Sequence, residues 1–135
     1  MQITRETDYA IRCVYCLAKS PNEVTMVDEI AKEMLIPKSF LAKILQKLAK
    51  AKIVKSYRGV KGGFQLLKKS KSVSIYDVIL AIEGPVAMNI CAIDKRRCSL
   101  SNKCLIHPVW VELRKDVEKR LKKIVFAKLI ESKRR

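Results

Sequence analysis

Over the first fifty residues the apolar positions recur at helical spacing and divide into three short stretches. Thr4 is placed to cap the first, in which Tyr9, Ala10, Cys13, Val14 and Leu17 share one face. After a turn at Pro21-Asn22-Glu23, Thr25-x-x-Asp28 has the form of a capping box opening a second helix, with Val27, Ile30, Ala31 and Met34 directed inward. The third begins at Pro37, where a missing N–H costs nothing, and buries Leu41, Ile44, Leu45 and Leu48. The period then changes to two over residues 53–57 and 64–67, which predicts a β-hairpin closed by Arg58-Gly59-Val60-Lys61-Gly62-Gly63. Ser74-x-x-Asp77 caps a fourth helix bearing Val78, Ile79 and Ile82, and Gly84-Pro85 ends it. No period persists over residues 86–107. Pro108 then opens a long helix in which Val109, Leu113, Val117, Leu121 and Ile124 repeat among charged residues.

This order predicts a mainly α fold: a winged helix-turn-helix unit with a two-stranded β wing and a long C-terminal dimerisation helix. Residues 1–84 form the winged-helix domain, 85–107 a cysteine-containing loop, and 108–135 the dimerisation helix with a C-terminal tail. The outer face of the third helix carries Lys38, Ser39, Ala42, Lys43, Gln46, Lys47 and Lys50. Such a face suits a major groove, with Lys38, Ser39, Lys43 and Gln46 toward bases or phosphates. At the hairpin tip, Arg58 and Lys61 carry charge outward, while Gly62 and Gly63 permit close backbone approach to a phosphate or minor groove.

Charge agrees with this pattern. The chain of 135 residues holds 29 Lys and Arg against 13 Asp and Glu, a net charge of +16 spread over both halves, so a polyanion is the natural partner. No uncharged apolar stretch is long enough to cross a bilayer, and the polar N-terminus lacks a secretory core. A reducing cytoplasm is the expected location, with no membrane partner.

There disulfides are disfavoured, and the five cysteines are packed or used as ligands. Cys13 and Cys16 lie within the first helix with no preceding strand; they are read as a core residue and a helix neighbour, not a redox pair. Cys91, Cys98 and Cys104 sit on an irregular basic segment that ends in His107, the one histidine. Three soft thiolates beside cations suit a thiophilic metal centre. Zinc would accept the Cys3His set, and unliganded thiols are a further alternative, but the spacings are wider than those of zinc knuckles and favour an iron–sulfur cluster. Nothing supplies an oriented base, an oxyanion hole or a substrate pocket for a Cys–His nucleophile, so no enzyme is expected.

Four segments together resemble the Rrf-two family of winged-helix transcription regulators, which includes iron–sulfur sensors: Thr7-Asp8-Tyr9-Ala10-Ile11-Arg12, Tyr57 through Phe64 at the wing, the three loop cysteines, and Cys104-Leu105-Ile106-His107-Pro108-Val109-Trp110. The likeness spans residues 1–131. It implies a homodimer on crossed long helices that binds a near-palindromic double-stranded DNA operator. The implied cluster lies between the long helix and the other subunit's DNA-binding domain and answers to redox state, iron or nitric oxide. Two fourth ligands fit the family: His107, matched to a 2Fe-2S cluster and favoured by its proximity to Cys104, and Asp8 of the partner subunit, matched to a 4Fe-4S cluster. Cys91 and Cys98 enclose one residue more than is usual in the family, and Ala42 stands where some members carry a glutamate. The rival readings are a zinc-stabilised or cluster-free winged-helix repressor and a basic dimeric adaptor for an acidic protein.

Overall fold

The computed structural model describes residues 2–67, 69 and 72–134. Helix α1 (Arg5–Lys19) runs through the centre and touches α2 (Val27–Met34), α3 (Lys38–Lys50), α4 (Ile75–Ile82), α6 (Phe126–Arg134) and strand β2 (Gly63–Leu66). Thr4 Oγ1 caps α1 by accepting from the Thr7 N–H at 3.1 Å. Ala10, Cys13 and Val14 are fully buried, as the helical spacing requires. Burial, with the adjacent Cys16 sulfur adding to it, pushes the Cys13 thiol far above its usual range, so it behaves as a core apolar group. Burial also raises the Cys16 thiol, although Lys19 opposes it; its Sγ lies 3.4 Å from Glu33 Oε2.

The second helix does not start as its sequence predicts. Met26 occupies the N-cap without a side-chain bond, and Thr25 pairs instead through its backbone with Phe64, N–H to O at 2.8 Å and 2.9 Å in the two directions. A long-range bridge to the wing has displaced the local capping box. Leu35 then turns through the left-handed region at φ 55°, and Pro37 leads into α3, whose Leu41, Ile44, Leu45 and Leu48 are buried.

Strand β1 (Val54–Tyr57) pairs antiparallel with β2 in the register Val54 to Leu66 and Tyr57 to Gly63. The fourth helix has the predicted capping box: Ser74 Oγ accepts from the Asp77 N–H at 3.2 Å, and Asp77 Oδ2 accepts from the Ser74 N–H at 2.9 Å. Past its end, Glu83 Oε1 accepts from the Thr4 N–H at 2.6 Å and the Thr7 hydroxyl at 2.7 Å, tying α4 to the start of α1.

The segment after Gly84 contains two single 3-10 turns, Ile90–Ala92 and Lys95–Arg97, before α5 (His107–Lys123). The predicted apolar series through Ile124 is interrupted there. Ile124 is extended, its carbonyl accepts from the Ile75 N–H at 2.9 Å, and the Phe126 N–H donates to the Val73 carbonyl at 3.1 Å. What the pattern presents as helix end and tail therefore contains α6, which returns to α1 and places Phe126 at 0% exposure. Periodicity alone gives no sign of this, because Ile124 continues the α5 stripe in sequence while its backbone pairs elsewhere. No helix among the described residues is long and apolar enough to cross a membrane.

Candidate functional site

Two surfaces hold the residues with chemistry. On the first, Lys38, Ser39, Lys43 and Gln46 are exposed along α3, and Arg58 and Lys61 are exposed at the hairpin tip. Asp28, at the start of α2, joins them: it lies 2.7 Å from the Lys38 ammonium and lines a groove with Tyr57, Arg58 and Gly59. Lys47 is paired with Glu6 at 2.7 Å. Helix α1 adds cations that the sequence pattern did not single out. Tyr9 packs edge-on against Phe40 of α3, with ring centroids 5.7 Å apart, and the Arg12 and Arg5 guanidinium groups lie 5.3 Å and 5.9 Å from the Tyr9 ring. Their helical spacing with Tyr9 was the available signal.

The glycines at the tip have an internal explanation. A Cβ on Gly63 would come 2.2 Å from the Thr25 carbonyl oxygen, and one on Gly62 would come 2.5 Å from that of Tyr57. Both positions are glycine because the chain passes itself too closely for a side chain. Gly59 differs: its φ of +109° favours glycine, but the space around it is open. Val60, beside it, is 98% exposed.

The second surface is a concavity of about 290 Å³ against the start of α5. Cys91, Cys98, Cys104 and His107 all contribute to its wall. Cys91 is buried, Cys104 half-buried and Cys98 exposed. The turn of Ile90–Ala92 holds Cys91, and the Ala92 carbonyl accepts from the Arg114 guanidinium of α5 at 2.6 Å. Arg97, Ser101 and Trp110 also line the wall and were not among the ligands expected from sequence. Ser101 Oγ and His107 Nδ1 are buried without a hydrogen-bond partner among the described residues. Among the described residues, no group of three or more His, Cys, Asp or Glu side chains is drawn tightly enough together to hold a single metal ion. Asp8 lies elsewhere, in a depression with Gln2, Ile3, Thr4 and Arg5, where its carboxylate accepts from Arg12 at 2.8 Å.

Around the concavity, apolar side chains face outward. Leu105 is 92% exposed, Leu100 65% and Ile106 58%, and α5 has no buried residue along its length. Its Leu113, Val117 and Leu121 form one half-buried stripe.

Comparisons with known proteins agree with this architecture. A family model described as Rrf2, iron-dependent transcriptional regulator, matches residues 3–132. The chain is 33% identical over 112 residues to a protein of Aquifex aeolicus whose name marks it as an HTH-type transcriptional regulator, covering 82% of this chain and 78% of that one. It is 28% identical over 131 residues to the HTH-type transcriptional regulator IscR of Yersinia pseudotuberculosis, covering 96% and 79%. Among solved structures, T. potens IscR superposes with a TM-score of 0.76 at 22% identity, covering 98% of this chain and 88% of that one. CymR, the global cysteine regulator of B. subtilis, superposes with a TM-score of 0.78 at 22% identity and 98% coverage of both.

Proposed function

Because the chain belongs to the Rrf2 family of iron-dependent transcriptional regulators, we propose that it is a cytoplasmic homodimer whose operator affinity is set by an iron–sulfur cluster on Cys91, Cys98, Cys104 and His107. It is a winged-helix transcription regulator and not an enzyme. One observation supports the cluster above all: three thiols and the one histidine, spread over residues 91–107, line a single concavity. The donor set fits. Thiolates are the preferred ligands of iron–sulfur centres, an imidazole can replace one of them, and the buried His107 Nδ1 has no hydrogen-bond partner among the described residues. The cationic Arg97 in the same wall offsets anionic charge on the thiolates.

When bound, the cluster supplies a redox-sensitive centre that can be oxidised or lost. The chain's own residues connect that site to the rest of the molecule. Arg114 bonds the carbonyl next to Cys91 and, at 2.9 Å, the Glu118 carboxylate, so the loop is fastened to α5. Helix α5 packs on α4, which belongs to the DNA-binding unit. Coupling of this sort is commonly about 1–3 kcal/mol, a five- to hundred-fold change in affinity. The half-buried apolar stripe of α5 serves as the seam between two copies, and two-fold symmetry then calls for a near-palindromic operator. On each half-site α3 enters the major groove through Lys38, Ser39, Lys43 and Gln46, while Arg58 and Lys61 reach the adjoining minor groove.

Protein purified without oxygen is expected to contain iron and acid-labile sulfide and to absorb visible light, and Cys98→Ala to lose all three. Colour and iron retained in Cys98→Ala overturn the ligand assignment. The close superposition on CymR, named a cysteine regulator, favours a second reading in which the same fold acts without a cluster. Colourless wild-type protein with unaltered DNA binding in Cys98→Ala supports that reading, and stoichiometric zinc supports a structural zinc site.

A further inference from the structure

Two buried side-chain polar atoms among the described residues lack a hydrogen-bond partner, and both belong to the wall of the cysteine concavity. One is on His107, already assigned as a ligand. The other is Ser101 Oγ, on a residue only 6% exposed. Buried hydroxyls almost always find a partner, so an orphan invites an explanation, and an absent bound group is one.

Local structure does not use this hydroxyl. The Ser101 N–H donates to the Cys98 carbonyl at 3.2 Å, closing the turn between them through backbone alone. The residue caps no helix: α5 starts at His107 with Ile106 at its N-cap. Ser101 stands midway between Cys98 and Cys104 in sequence, and all three side chains line the same hollow. A hydroxyl has one proton to donate. Once the cysteines ligate, this wall would present sulfur acceptors beside the Asn89 amide, with which Ser101 makes no hydrogen bond.

We propose that Ser101 is a positioning residue that donates a hydrogen bond to a sulfur of the cluster or of its cysteine ligands and thereby sets the cluster's reduction potential. The inference rests on the iron–sulfur reading above. Its sign follows from charge. Reduction adds one electron from an external reductant and makes the sulfurs more negative, so a hydrogen bond to sulfur is stronger in the reduced state and raises the potential. The proton stays on the serine oxygen in both states. Ser101 is assigned as a donor and not a ligand because three thiolates and an imidazole already provide four donors, all softer than a hydroxyl oxygen.

The test uses full-length, anaerobically prepared wild type, Ser101→Ala and Ser101→Thr, titrated with dithionite while the visible spectrum is followed, with iron and sulfide measured on the same samples. Ser101→Ala is expected to keep the wild-type iron and sulfide content. Its midpoint shifts downward, with a several-fold fall in the reduced-to-oxidised ratio at the wild-type midpoint. Ser101→Thr, which retains the hydroxyl, stays with the wild type. Iron–sulfur stretching bands shift on transfer to D2O in wild type and not in Ser101→Ala. An unchanged midpoint in fully loaded Ser101→Ala overturns the inference alone, as does a Thr variant that tracks Ala. Complete loss of iron from Ser101→Ala also overturns it, by making Ser101 a ligand. Wild-type protein without iron or colour overturns the iron–sulfur reading and this inference with it.

Discussion

The Lys38 ammonium lies 2.7 Å from the Asp28 carboxylate, so the first cation of α3 is held against an anion of α2 on the face proposed for DNA. Both side chains are about two-thirds exposed, at 68% and 67%, and such a pair adds only about 0–1 kcal/mol to folding. Its larger effect falls on binding, where Asp28 competes with a phosphate for Lys38. Asp28→Asn is expected to tighten duplex binding by about two- to ten-fold and to steepen the dependence of log K on log salt by about one phosphate contact. Fluorescence anisotropy across a salt series measures both. Unchanged affinity and slope would place the pair outside the interface.

The wing glycines separate a structural requirement from a binding one. Gly63→Ala brings a Cβ against the Thr25 carbonyl and should destabilise the protein by at least about 1–3 kcal/mol, opening the bridge between Thr25 and Phe64. Gly59→Ala meets no neighbour and should cost only the backbone strain of a positive φ, about 1–2 kcal/mol. Urea denaturation of the two variants ranks them; equal losses would contradict the close approach at Gly63.

Phe126→Ala tests whether α6 belongs to the core. Removing a ring at 0% exposure should lower stability by about 3–5 kcal/mol, with a corresponding fall in the thermal midpoint. A loss below about 1 kcal/mol would mean that α6 is a dispensable tail.

Glu83 gives the fold a pH dependence. Partial desolvation raises its pKa, but hydrogen bonds from the Thr4 N–H and Thr7 outweigh this and hold the carboxyl below its ordinary value near 4.5. A depressed folded-state pKa stabilises the protein above the unfolded value, and that contribution is lost as pH falls through the folded one. Glu83→Gln is therefore expected to lower stability at neutral pH, with the difference from wild type shrinking below about pH 4.5. Denaturation midpoints measured from pH 7 to pH 3 would show it; a constant difference would assign the effect to packing.

The α5 stripe predicts the assembly. Val117→Glu places a charge in the middle of the proposed seam and should convert a dimer into a monomer at micromolar concentration, as read by light scattering. Persistence of the dimer would move the interface to another face.

Much of this protein follows from local regularities. The four apolar faces in the first eighty residues, the caps at Thr4 and Ser74, the hairpin and the basic outer face of α3 each arise from spacing within a few residues, so the helix-turn-helix and wing were legible in the chain itself. Cys91, Cys98, Cys104 and His107 stood out in the chain as candidate donors by residue type and spacing, and the structure brings all four to one concavity. Other features depend on partners distant in sequence. Thr25 is drawn from a cap into a bridge with Phe64, α5 ends because Ile124 pairs with Ile75, and Phe126 closes a core begun at Ala10. Ser101 becomes conspicuous only when its hydroxyl is seen to be buried and unpartnered beside three thiols. The sequence by itself determined most of the elements, because periodicity and capping are local. Only the tertiary structure decided where helices stop and which hydroxyl faces the cysteines, because backbone pairing and burial are settled by residues far apart along the chain.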